Sequence, residues 1–134
     1  RSSLIRLAEK EGIADRVRFL GFLEDMAPFY RALRVNVNCS EGTETSCLAL
    51  SEGMSASLPT VASDYGGNVA MLDGGRAGLL FPTGDAEALA DTLAQIAGDR
   101  EVEERLRAAA LARYLACYTA KGMSDRVTAL YESL

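Results

Sequence analysis

Histidine is absent from these 134 residues. That removes Ser-His-Asp and Cys-His catalysis, and any metal site built on imidazole. The chemically promising residues concentrate in one stretch from Asn38 to Asn68, NCSEGTETSCLALSEGMSASLPTVASDYGGN. It reads as a strand end, a polar loop, and a helix that begins near Thr45 or Ser46. The first N–H groups of a helix lack intrahelical acceptors and carry the positive end of its dipole. Such an end binds phosphate well. The small residues Gly42, Thr43, Thr45, Ser46 and Cys47 would let a diphosphate approach the backbone. The plainer reading is that Thr43, Thr45 or Ser46 simply caps the helix.

Two carboxylates add weight to the first reading. Glu52 follows Glu44 by eight positions, roughly 12 Å along a helix axis. That is comparable with the span from a sugar to a ribose across a diphosphate. A carboxylate accepts well from a pair of neighbouring hydroxyls. Glu52 also sits among small and apolar residues, where an unpaired charge is costly. Its plainer roles are to face solvent or to pair with an arginine. Carboxylates can hold Mg²⁺ together with phosphate oxygens, but a separation of about two turns argues against one shared ion. No Asp-x-Asp pair occurs, so no metal is expected.

The chain that positions these groups has an ordinary globular balance, 49% hydrophobic and 25% charged, which excludes wholesale disorder. Its length suits a single domain. A net charge of −5 gives no basic footprint for nucleic acid. No apolar run reaches the roughly 18 residues of a membrane span, and the opening residues lack the apolar centre of a secretory signal. The cysteines Cys39, Cys47 and Cys117 are odd in number and form no CxxC pair. A reducing cytoplasm is therefore the expected location.

Periodicity places a helix at residues 2–10, with Gly12 to stop it. A short strand is expected at 17–20, ending in Gly21. A helix follows at 25–33 with Pro28 near its first turn, then a strand at 35–38 and the loop 39–44. Next come a helix at 46–57, a strand at 58–63, a turn at 65–67 and a short helix at 68–72. A second turn at 73–75 leads to a strand at 78–81. After Pro82 the pattern is helical to the end. Alternating strands and helices predict an α/β fold, a mostly parallel sheet with helices on both faces. Ligands in such sheets bind at the carboxyl ends of the strands. The loops 21–25, 39–46 and 64–68 are therefore the candidates.

Glu44, Glu52 with Gly53 and Met54, the segment LPTVASD at 58–64, and Gly66-Gly67-Asn68 together resemble the carboxyl-terminal, donor-binding domain of group 1 (family 4) retaining glycosyltransferases. The resemblance extends to RVRFLGF at 16–22, DGGRAGLLFPTGD at 73–85 and AEALA at 86–90. The motifs are collinear and cover nearly the whole chain. The resemblance implies a Rossmann-like half of a GT-B enzyme that moves a hexose from a nucleotide sugar to a glycan, lipid or small-molecule acceptor. It implies no metal or other cofactor. Glu44 matches the glutamate that contacts the donor sugar and is the implied catalytic position. Thr45, Ser46, Cys47 and Leu48 match the helix opening whose amides hold sugar and diphosphate. Glu52 matches the carboxylate on the ribose hydroxyls, and Gly21 and Phe22 match a loop near the nucleobase. Glu41 stands eleven positions before Glu52 and does not fit. Thr45, Ser57 and Val69 replace residues that are often glycine, glycine and proline in the family.

By the same resemblance, residues 1–134 are one partial donor domain, without the acceptor domain of the full enzyme, which is expected in the cytoplasm or peripheral to its membrane. The family's two preceding strands and its arginine–lysine pair for the leaving diphosphate have no match here, so this piece alone is expected to be inactive. In the doubly wound order 3-2-1-4-5-6, the segments 17–20 and 35–38 would be strands three and four. The first would then pair directly with the second, or a second copy would cover the bare edge. Self-association through that edge is the expectation. The alternative class is a non-catalytic nucleotide-binding or interaction module. A dehydrogenase is disfavoured because no G-x-G-x-x-G follows a strand.

Overall fold

The computed structural model describes residues 1–42 and 45–134. Three short strands, β1 (Asn36–Asn38), β2 (Thr60–Ser63) and β3 (Leu79–Phe81), form a parallel sheet in the order β1-β2-β3. Val37 aligns with Val61, and Val61 with Leu79. Among the described residues there are seven α-helices: α1 (Ser2–Lys10), α2 (Ala27–Ala32), α3 (Leu48–Ser55), α4 (Asn68–Met71), α5 (Ala86–Gly98), α6 (Arg100–Cys117) and α7 (Ala120–Glu132). The α/β class and the parallel pairing match the sequence reading.

All four residues of the central strand β2 are buried. Strand side chains alternate between faces, and the core divides accordingly. Ala62 packs with Leu50 and Met54 of α3, Leu72, and Ala110 of α6. On the other face Val61 and Phe81 pack with Ile96 of α5 and Leu106 of α6. A parallel sheet needs both faces covered in this way.

Local chemistry sets the element ends. Asp85 and Asp99 cap α5 and α6 by accepting backbone N–H bonds, and Thr119 does the same for α7. Helix α3 closes in a Schellman arrangement: Leu58 N–H reaches Gly53 O and Ser57 N–H reaches Met54 O. Ser57 therefore adopts φ 57°, the left-handed conformation that glycine takes most readily.

One expected element does not form. Residues 17–20 belong to no strand among the described residues, although Val17 keeps extended dihedrals. Phe19 O instead accepts a long bond of 3.4 Å from Arg1 Nη2. A strand is stable only when a neighbour satisfies its backbone groups, and among the described residues β1 pairs with β2 alone. Direct closure of 17–20 onto 35–38 is thereby corrected. Helix α3 also begins at Leu48, later than expected, because Cys47 is still extended (φ −72°, ψ 103°).

Candidate functional site

The carboxyl ends of β1 and β2 meet the start of α3 in a small polar knot. Asn38 Oδ1 accepts from Ser40 N–H (3.0 Å) and Asn68 Nδ2 (3.3 Å). Asn38 Nδ2 donates to Cys47 Sγ at 3.1 Å. Ser63 Oγ donates to Ser40 O at 2.7 Å. Asn68 is fully buried and also donates to Ser63 O and Oγ. Its Oδ1 has no hydrogen-bond partner among the described residues. The knot fixes the loop after β1 against β2 and α4.

Two glycines bring the backbones together. A β-carbon on Gly67 would overlap the carbonyl of Thr45. One on Gly53 would overlap the Asn36 side chain, whose Nδ2 donates to Ala49 O at 3.0 Å. Helix α3 thus lies close on β1, with its amino end at the sheet's carboxyl edge. No side chain among the described residues caps that end, so the capping alternative for Thr45 and Ser46 does not apply.

Glu44 and Thr43 lie outside the described residues. Thr45 and Ser46 are exposed, Leu48 is 71% exposed, and Cys47 is buried in the core beneath them. Glu52 is exposed one turn into α3, and its Oε2 accepts a 2.8 Å hydrogen bond from the Tyr30 hydroxyl. Neither bare solvation nor an arginine pair describes it.

A cavity of about 500 Å³ borders this pair, lined by Tyr30, Glu52, Asp25, Met26 and Arg31 among others. A second, of about 550 Å³, includes Gly21, Phe19, Leu20 and Met26. Met26 borders both, so the Gly21 loop and Glu52 serve adjoining hollows. Phe22 is 90% exposed and lines neither.

Sequence spacing does not single out Tyr30. Its signal was chemical: a tyrosine in a short helix, whose hydroxyl must find a partner once the ring is buried. The knot residues Asn38 and Ser63 were equally silent, since polar residues at strand ends are common.

A parallel sheet with a glycine-seated helix start at its carboxyl edge is a Rossmann-like architecture. Residues 1–99 match the family model for glycosyl transferases group 1. The chain belongs to that family. It is 31% identical over 125 residues to the phosphatidyl-myo-inositol mannosyltransferase of Mycobacterium leprae, covering 92% of this chain and 33% of that protein. It superposes on sucrose-phosphate synthase from Thermosynechococcus elongatus with a TM-score of 0.87 at 29% identity, over 97% of this chain and 33% of that one. The Anabaena HepE protein in complex with UDP-glucose gives a TM-score of 0.91 at 22% identity, over 99% and 36% of the two chains. That last likeness speaks to the fold alone. The chain spans about a third of the length of the curated relatives it matches. The non-catalytic module is not favoured by these matches. No helix among the described residues is long and apolar enough to cross a membrane.

Proposed function

We propose that this chain is the donor-binding part of a retaining glycosyltransferase, and that the intact protein moves a sugar from a nucleotide sugar to a glycan, lipid or small-molecule acceptor. The observation that carries the reading is the placement of the α3 start at the carboxyl end of β1, with a carboxylate one turn further on. In this reading the backbone at Thr45, Ser46, Cys47 and Leu48 receives sugar and diphosphate, and Glu52 takes the ribose hydroxyls. The Gly21–Met26 side holds the base. Glu44 is the proposed catalytic contact to the donor sugar. No metal is required, and the protein works in the cytoplasm or at its membrane face.

A transferase must also stabilise negative charge on the departing nucleotide diphosphate. Helix amides contribute to that, and the acceptor domain and further basic groups complete the site in the intact protein. Saturation-transfer NMR on the full-length protein with UDP-, GDP- and ADP-sugars tests the reading. Transfer to base and ribose protons of one donor is expected. A folded protein that receives none of them would overturn it.

A further inference from the structure

The Tyr30–Glu52 contact joins a fixed donor to a movable acceptor. Tyr30 is 6% exposed, and its ring meets Phe29 edge-on with centroids 5.2 Å apart. Glu52 is exposed on α3, where a long side chain would otherwise sample several rotamers. The 2.8 Å separation is that of a good O–H to carboxylate bond. The two groups come from α2 and α3 and border the same cavity of about 500 Å³.

We propose that Tyr30 is a positioning residue: its hydroxyl holds the Glu52 carboxylate in the one orientation that receives the two ribose hydroxyls of a nucleotide. The proposal rests on the reading of Glu52 as the ribose carboxylate. An ionised carboxylate offers about four lone-pair sites, and Tyr30 uses one. Both oxygens stay available for a vicinal diol. Burial, and then the hydrogen bond and charge of Glu52, hold the Tyr30 phenol well above its ordinary value. It therefore remains a donor across the physiological range. Removing the hydroxyl leaves the carboxylate in place but free to rotate, so the ordering cost falls on ligand binding.

The test uses the full-length protein and calorimetry with UDP, GDP and ADP. The tightest of them is then compared with its 2′,3′-dideoxy counterpart. The unaltered protein is expected to prefer the ribonucleotide, and Glu52→Gln to abolish the preference. Tyr30→Phe is expected to shrink it roughly two- to tenfold, the cost of re-immobilising one side chain. Affinity for the dideoxy compound should stay unchanged. A Tyr30→Phe protein that loses affinity for both compounds equally would show a merely structural role and overturn the proposal. So would an intact preference in Tyr30→Phe when Glu52→Gln has lost it, which leaves the Glu52 reading standing. A preference retained by Glu52→Gln, or absent from the unaltered protein, removes the Glu52 reading and the proposal together. Should Tyr30→Phe fold poorly, 3-fluorotyrosine at position 30 keeps the ring and hydroxyl. Its ¹⁹F resonance is expected to move with the ribonucleotide and not with the dideoxy compound. No difference between the two would overturn the proposal.

Discussion

Gly67 lies against the carbonyl of Thr45 so closely that any side chain there would collide with it. Two motifs more than twenty residues apart in sequence are thereby locked backbone to backbone at the mouth of α3. Gly67→Ala must push the 45–47 segment outward. A misplacement near 1 Å can cost on the order of a hundredfold in rate. If the intact protein has the proposed transferase activity, we expect a loss of that order in its turnover, with a much smaller shift in melting temperature. Steady-state kinetics beside thermal melts will check this.

Gly53→Ala should act on stability. Alanine gains about 1 kcal/mol over glycine in a helix interior. Here the added carbon meets not only the Asn36 amide but also its β-carbon, at 2.8 Å. Overpacking of this kind costs about 1–3 kcal/mol. A net decrease in urea-unfolding free energy is expected, and an increase would refute the close seating of α3 on β1.

Ser57 occupies a left-handed position, φ 57°, while its Oγ donates to Arg107 O at 3.2 Å. Alanine would keep the backbone cost and lose the bond. Glycine would lose the bond and relieve the cost of about 1–2 kcal/mol. Ser57→Gly should therefore be more stable than Ser57→Ala by about that amount in chemical denaturation.

Asp64 ties the end of β2 to the turn after β3, accepting from Thr83 Oγ1 at 2.7 Å and Thr83 N–H at 2.8 Å. Those bonds lower its pKa below the ordinary aspartate value. A depressed carboxyl pKa stabilises the fold above the unfolded value and loses that contribution as pH falls through the folded one. The stability gap between the native chain and Asp64→Asn is expected to be constant near neutrality. It should shrink below about pH 4, as acid titration followed by circular dichroism would record.

Chelation should leave the proposed transferase activity of the intact protein unchanged. Among the described residues no group of three or more cysteines and carboxylates is arranged to hold an ion. Loss of turnover in EDTA, restored by Mg²⁺, would count against this.

The parallel α/β layers were legible because periodicity and glycine turns act locally. The 3.6-residue stripe of Leu89, Leu93 and Ile96 and the apolar run at β2 needed no distant information. The segment 17–20 has the same local signal but no strand neighbour among the described residues, and a ladder depends on its neighbour. Within the site, Glu52 stood out by charge in an apolar context. The Tyr30 bond did not, because it joins residues 22 positions apart through packing that spacing does not encode. Helix α3 starts two residues later than the periodicity places it, with Cys47 extended beside its Asn38 contact.

Helix α7 contributes no buried residue, and Met123, Val127, Leu130 and Tyr131 are each about half exposed or more. Its 13 residues sit near the length of about 12–15 at which a lone helix is only marginally populated in water. The cooperative unit of this chain is therefore expected to end with α6. In hydrogen–deuterium exchange the amides of α7 should open in a separate, low-cost step, while those of β2 and α6 wait for global unfolding.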